Sequence, residues 1–416
     1  MNDTTYITAA GMIDASGTAF APAAIRLQDH QILASGTTDD VGPPAPGDTV
    51  VPCDDLMLMP ALVNAHAHLD LTSLGVRPFH GSFAEWATMV RNERPATGDD
   101  IRAAVQDGAA RSRDGGTTLV GDIAGNGSLD AASALMGSSL AGVSFVEVFG
   151  IGSRRSAAHD IIDRVSRTAS SSPNVRIGLQ PHAPYSCAVS TYDACRDAGV
   201  PLATHLAETL DELAFVAHAT GPLADMLRSI RIWDESIVAQ HVSPVALLRD
   251  VLHSAPFVVA HCNYVADDDL DVLASVDATV AYCPRASAYF EHPHEGRDPH
   301  RYLGMLDRGI NVALGTDSMI CLDTDDRISV LDDMRLLWQR DGTDPVTLLR
   351  MATLNGAMAL GAESSAWTLQ PGPTMGIIGV PAHGATALAM LVETLRRDDA
   401  PQWIVEPGDV PWIASA

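Results

Sequence analysis

Met59-Pro-Ala-Leu-Val-Asn-Ala-His66-Ala-His68-Leu-Asp70 is the stretch from which the fold of this chain can be read. The apolar run Leu56 to Val63 has the composition of a buried strand, and two histidines separated by one residue follow it. Side chains two apart in a strand point the same way, so His66 and His68 project together from its carboxyl end. Paired imidazoles suit a borderline divalent metal such as zinc, which takes His nitrogens and carboxylate oxygens. A pair of ordinary polar residues at a strand terminus would have the same local sequence, so the rest of the chain decides.

Downstream the pattern is strand, then helix, repeated. Apolar or β-branched strands are expected at 58–65, 117–123, 142–149, 175–181, 200–205, 257–262, 278–283 and 310–317. Stretches of helical period lie between them, over Asp99–Ser112, Ser156–Thr168, Leu210–Ala219 and Pro299–Arg308. Eight such strands over about 260 residues predict an α/β fold, a (β/α)8 barrel of the TIM type. Residues 1–57 are short strand-like pieces between Gly, Asp and Pro turns, and the tail returns to that pattern after helical material from Arg327 to Leu360. The expected organisation is a barrel over 58–364, with 1–57 and 365–416 folding together into one small β-sandwich.

Composition narrows the partners. The formal charge is −26, and all 26 basic residues are arginine, because the chain contains no lysine. So acidic a surface repels phosphate backbones and anionic lipid, which argues against nucleic acid and membrane as partners and leaves a small molecule. No run of about 18 apolar residues is present, and Met1 to Tyr6 has neither the charged region nor the apolar core of a secretory signal. A cytoplasmic location is the expectation. Cys53, Cys187, Cys195, Cys262, Cys283 and Cys321 form no CxxC pair and are expected to be free, several of them buried in strands.

In a barrel of this type the reacting groups sit at the carboxyl ends of strands. Read there, the first strand offers His66 and His68, the fourth His182, the fifth His205 with Glu208 one turn on, the sixth His261 and the eighth Asp317. Five strands thus carry a ligand or acid–base group at the same end, whereas chance would scatter the 15 histidines through helices and loops. His66, His68, His205 and Asp317 supply three imidazoles and a carboxylate, enough to hold one divalent metal and leave a position open for water. Such an ion lowers the pKa of bound water to about 7. Glu208 can take a proton from that water and pass it to a leaving group. His261 and Asp317 can orient the attacking hydroxide, and His182 would face the substrate.

These segments resemble the amidohydrolase superfamily, in its branch of adenosine, S-adenosylhomocysteine and related aminoheterocycle deaminases and triazine chlorohydrolases. The matching motifs run in order: Pro60-Ala-Leu-Val-Asn-Ala-His-Ala-His68, His182-Ala-Pro-Tyr-Ser186, His205-Leu-Ala-Glu-Thr209, Val259-Ala-His-Cys262, Cys283-Pro-Arg-Ala-Ser287, Leu314-Gly-Thr-Asp-Ser318 and Met351-Ala-Thr-Leu-Asn-Gly-Ala-Met-Ala-Leu-Gly361. The resemblance implies that His66, His68, His205 and Asp317 bind one divalent ion, zinc first and iron as the alternative. It also implies that Glu208 shuttles protons, that His261 and His182 serve the reacting centre, and that the chain forms a homo-oligomer. Two-metal members of the superfamily bridge their ions with a carbamylated lysine, which a lysine-free chain cannot do. The tail departs from relatives, which usually carry Gly-Lys-x-Ala-Asp-Leu where this chain has Gly372-Pro-Thr-Met-Gly-Ile.

The substrate is less legible. Ser82-Phe-Ala-Glu-Trp86 resembles a segment whose Glu holds ribose hydroxyls in relatives, which makes Glu85, with Trp86 beside it, a candidate substrate contact. An exposed carboxylate at a helix start is the plainer alternative. Arg154 and Arg155 could meet an anionic end of the substrate or stand in a solvated loop. Glu291-His-Pro-His-Glu295 and His300 are expected to form a pocket-rim loop, and the role of His292, His294 and His300 stays open. The expected reaction is hydrolytic deamination of an amino-substituted heterocycle, with an adenine nucleoside or a relative such as aminodeoxyfutalosine as the lead. Guanine, another aminoheterocycle or a chlorotriazine are alternatives. A metal-binding barrel without catalysis is the alternative of another class, and the presence of Glu208 and His261 argues against it.

Overall fold

Pro60 divides the apolar run ahead of His66 between two strands. The structure, a computed structural model describing residues 4–168, 172–294 and 296–413, has one strand over Thr49–Pro60 and the next over Leu62–His68. The apolar run by itself predicts a single strand at 58–65. Proline has no N–H to give to a ladder, and the chain changes partners there. Ala61 N–H donates to Gly376 O at 3.1 Å and Leu62 N–H to Gly116 O at 2.8 Å.

The chain divides into two compact units, one of Met1–Asn64, Arg111–Leu119 and Arg327–Ala416, the other of Ala65–Ala110 and Val120–Asp326. In the first, strands from early and late in the chain share one sheet. Thr4–Ile13 runs parallel to Thr49–Pro60 and antiparallel to Ala23–Gln28. Ile377–Pro381 pairs antiparallel with the far side of Thr49–Pro60, and Gln402–Val405 pairs with Ile377–Pro381 in turn. Ile7, Ile25, Leu58 and Ile377 are wholly buried in the core cluster of this sheet.

The second unit is built on the βα repeats. The strands of these repeats, in chain order, are β1 Leu62–His68, β2 Thr117–Ala124, β3 Ala141–Val148, β4 Val175–Pro181, β5 Ala203–Leu206, β6 Phe257–His261, β7 Ala278–Tyr282 and β8 Asn311–Leu314, the first residues of β1 and β2 being counted with the first unit. β1 to β4 are neighbours in one sheet, with Asp317–Ser318 beside β1, and β5 to β8 form another. The pairings β3–β4, β5–β6, β6–β7 and β7–β8 are parallel, as is Asp317–Ser318 with Ala67–His68. β2 and β3 are buried at every position, as strands covered on both faces must be. The fold is therefore mixed α/β with parallel strands.

Two further contacts connect the strand ends. A parallel bridge joins Leu179 of β4 to Leu202, and Thr316 N–H, just after β8, donates to His66 O at 3.0 Å. The second requires Gly315. A Cβ at that position would lie 2.8 Å from Cys283 Sγ and 2.9 Å from His66 Cβ, closer than real carbons approach. All six cysteines are buried, and none is in a disulfide. Among the described residues no helix is long and apolar enough to cross a membrane.

Candidate active site

The imidazole of His66 has the ring centroids of His68, His205 and His261 around it at 5.2, 5.1 and 5.3 Å. Ligand atoms of His66, His68 and Asp317 lie within 4.8 Å of one another, and so do those of His66, His205 and His261. His205 donates Nδ1–H to the His182 carbonyl at 3.0 Å, which leaves its Nε2 as a lone pair 3.4 Å from His68 Nε2. Burial, reinforced by neighbouring imidazoles, drives His66, His68 and His261 well below the usual imidazole pKa, so these rings are neutral. The Asp317 carboxylate stands 3.7 Å from His68 Nε2. Neutral imidazoles and a carboxylate converging away from water are the donor set of a divalent ion. With no cation they would leave lone pairs facing one another in a dry site. The residues fit one ion.

Glu208 sits beside this set on a braced turn. Its Oε1 is 3.6 Å from His261 Nε2, and ligand atoms of Glu208, His261 and Asp317 again lie within 4.8 Å. Thr209 caps the helix Leu210–His218 by accepting Glu212 N–H. Glu212 in turn accepts the N–H groups of Ala207 and Glu208 at 3.0 and 2.9 Å, which pins the left-handed Ala207 (φ 50°). Burial, with Asp317 and Glu212 nearby, pushes the Glu208 carboxyl well above its ordinary range, and burial takes Glu212 to about 7. A carboxyl held this far above its ordinary range is readily protonated, which is what a group that carries a proton needs.

The amidohydrolase family profile matches residues 57–373, a span that contains every one of these groups. The chain belongs to the amidohydrolase family. Among its curated relatives, the 5-methylthioadenosine/S-adenosylhomocysteine deaminase of Symbiobacterium thermophilum is 26% identical over 378 residues, 86% of this chain and 80% of that protein. Among solved structures, Helicobacter pylori aminofutalosine deaminase in complex with methylthio-coformycin covers 98% of this chain and 99% of its own, at 19% identity and a TM-score of 0.78. An adenosine deaminase from Xanthomonas campestris with bound zinc covers 98% and 94%, at 18% identity and a TM-score of 0.71. At those identities the structural likeness is one of fold.

In this amidohydrolase a cavity of about 400 Å³ opens beside the cluster, bounded by His68, His182, His205, Glu208, His261 and Asp317. That volume suits a small organic substrate. The wall is otherwise mostly apolar, with Phe83, Trp86, Phe149, Ile151, Leu227 and Ile232. His182 faces it with Nδ1 2.8 Å from Ser186 Oγ, and burial takes its pKa down to about 3. Of the substrate contacts expected from sequence, Trp86 and Arg154 also line the cavity. Glu85 and Arg155 are not among the lining residues. Glu85 is exposed, and its Oε2 accepts Ser82 N–H at 2.8 Å in a capping box that starts the helix Phe83–Glu93. Arg155 donates to Gly152 O and stands 3.9 Å from Asp234.

Two lining residues that sequence reasoning passed over are Arg94 and Glu147. Arg94 bridges Asp70 at 2.7 Å and Glu147 at 3.3 Å, and Glu147 Oε1 is 3.7 Å from His182 Nε2. The guanidinium lies where a Cβ on Gly125 would collide with it, so a larger residue there would displace it. Burial opposes the charge on Glu147, yet Arg94, His182 and His205 hold its pKa below the ordinary value. A carboxylate in the wholly buried strand Ala141–Val148 was the signal available for Glu147. Of the His-rich loop, Glu295 lies outside the described residues. His292 Nδ1 bonds Tyr264 OH at 2.9 Å, and His300 is turned inward under His261.

Proposed function

We propose that this amidohydrolase is a metal-dependent deaminase that removes ammonia hydrolytically from an amino-substituted heterocycle, an adenine nucleoside or a relative of one. The observation that carries the reading is Glu208, 3.6 Å from His261 and with a carboxylate oxygen within 4.8 Å of one on Asp317, on the wall of the cavity. His66, His68, His205 and Asp317 would hold a single divalent ion; zinc suits the donors best, and iron fits the same set. When bound, the ion supplies the Lewis acidity that makes water a nucleophile near neutral pH.

The rest falls to the chain's own groups. Glu208 accepts a proton from the attacking water and gives it to a ring nitrogen as the new C–O bond forms. A second proton, from the new hydroxyl, follows the same carboxylate to the amine, and the C–N bond breaks to release neutral ammonia. His261 orients the nucleophile together with Asp317, and His182, Trp86 and Arg154 contact the substrate. Named deaminases among the relatives support the leaving group, and the apolar cavity wall supports a flat heterocycle.

The same reading includes closure of β1 to β8 into a (β/α)8 barrel over 58–364, supported by the Leu179–Leu202 bridge and by Thr316 N–H on His66 O. Residues 1–57 and 365–416 form its small β-sandwich, supported by the strands they share in one sheet. A cytoplasmic homo-oligomer is the form proposed. The test is ammonia release from a panel of adenosine, 5′-methylthioadenosine, S-adenosylhomocysteine and other aminopurine nucleosides. Release from at least one is expected, and silence across the panel would remove this substrate class.

A further inference from the structure

His300 comes from the loop whose histidines the function above leaves unused, and it is 7% exposed. Both ring nitrogens are assigned by the backbone around them. Nδ1 accepts Tyr302 N–H at 3.1 Å, so Nε2 carries the hydrogen, and it donates to the carbonyl of His261 at 2.8 Å. The ring stacks on Tyr282 with centroids 3.7 Å apart and planes 13° from parallel. Neither the tautomer nor the direction of the donor is left free.

The carbonyl it holds belongs to a strained turn. His261 and Cys262 both sit in the left-handed region, at φ 72° and 52°. Such conformations cost about 1–3 kcal/mol for a residue with a Cβ and persist only when their surroundings over-determine them. The rest of the turn is tied to the segment bearing Glu208. Cys262 N–H donates to Leu206 O at 2.9 Å, Tyr264 N–H to Ala207 O at 3.0 Å, and Asn263 Nδ2 to Glu208 O at 3.1 Å. Asn263 Oδ1 accepts Ser287 Oγ–H at 2.9 Å. One turn therefore sets the main chain under both His261 and Glu208, and the side chain of His300 is bonded to the carbonyl at its entry.

We infer that His300 is a positioning residue, a donor clamp that holds the His261–Cys262 turn left-handed and so aims His261 and Glu208 at each other. The inference rests on the proposed deaminase reading for its kinetic consequence only; the clamp itself is testable without it. His300→Phe keeps a ring to stack on Tyr282 and removes the donor. His300→Gln keeps an amide nitrogen near the place of Nε2, and His300→Asn keeps one only near Nδ1.

The variants are compared with the metal-loaded wild type by kcat, KM, melting temperature and amide hydrogen exchange at Cys262, Asn263 and Tyr264. Misplacing catalytic groups by about 1 Å can cost roughly a hundredfold in rate. The expectation is a kcat lower by about ten- to a hundredfold in His300→Phe and His300→Asn with KM within about twofold, and substantial recovery in His300→Gln. Exchange at the three amides should quicken in the same order. If His300→Phe melts below the assay temperature, the Gln and Asn pair, isosteric in neither case but differing in where the donor sits, decides alone. Wild-type kcat and unchanged exchange in His300→Phe, or equal losses in His300→Gln and His300→Asn, would overturn the clamp. Should no aminopurine nucleoside be turned over by the wild type, the exchange pattern still reports on the clamp and the kinetic failure belongs to the function.

Discussion

In the proposed mechanism Glu208 moves two protons in one turnover, and burial beside Asp317 and Glu212 keeps its carboxyl readily protonated. Glu208→Gln is expected to keep its metal, by elemental analysis, while kcat falls about 10²- to 10⁴-fold; a variant that still deaminates at the wild-type rate would remove Glu208 from the mechanism. Asp122 offers a second residue-scale test. Burial, with Asp70 close by, pushes it up to about 7, while its oxygens accept Leu69 N–H and Ser144 Oγ–H. Between pH of about 4 and 7 the folded state holds a proton that the unfolded state has released. Its contribution to stability is thus full at acid pH and is lost as pH rises through about 7. Asp122→Asn should flatten the melting temperature across that range by the equivalent of a few kcal/mol, and parallel wild-type and variant curves would refute it. The histidines were legible in sequence because each follows an apolar strand in the chain. Arg94 and Glu147 were not, because their pairing joins residues 53 apart, and nothing local distinguishes Glu85, which caps its own helix, from a carboxylate that faces a substrate.

At the scale of elements, the turn after β5 depends on one acid that never meets substrate in the proposed mechanism. Removing the Glu212 carboxylate strands the buried N–H groups of Ala207 and Glu208, each at a cost of about 1–3 kcal/mol. Glu212→Ala should therefore lower unfolding free energy by about 2–4 kcal/mol in denaturant titration, and a change within error would show that the turn holds itself. The step from β8 to Asp317 depends on Gly315 in the same manner. A methyl there meets His66 Cβ and Cys283 Sγ, so Gly315→Ala is expected to cost about 1–3 kcal/mol and to weaken divalent-ion binding in calorimetry. Strand positions were readable from hydrophobic runs, but the break at Pro60 was not anticipated. A run that is apolar throughout carries no mark of where one sheet hands over to another, and only the partner strand Ile377–Pro381, far along the chain, reveals it.

For the molecule as a whole, a net charge of −26 and a buried cluster of neutral imidazoles both make a bound cation stabilising. Ligand binding to the folded state alone adds about 2.7 kcal/mol at a hundredfold excess over Kd. Stripping the protein with a chelator should lower its melting temperature by several degrees, restored by one equivalent of zinc; an unchanged melt would argue against the site. The buried cysteines have a practical consequence as well. Cys53 lies in the mixed sheet, Cys187 and Cys195 beyond β4, Cys262 and Cys283 beyond β6 and β7, and Cys321 beyond Asp317, and all are closed to solvent. A water-soluble alkylating reagent can then reach a thiol only when its own neighbourhood opens. Mass spectrometry of timed labelling would turn the six sulfurs into resident clocks, each keeping the opening time of a different part of the molecule.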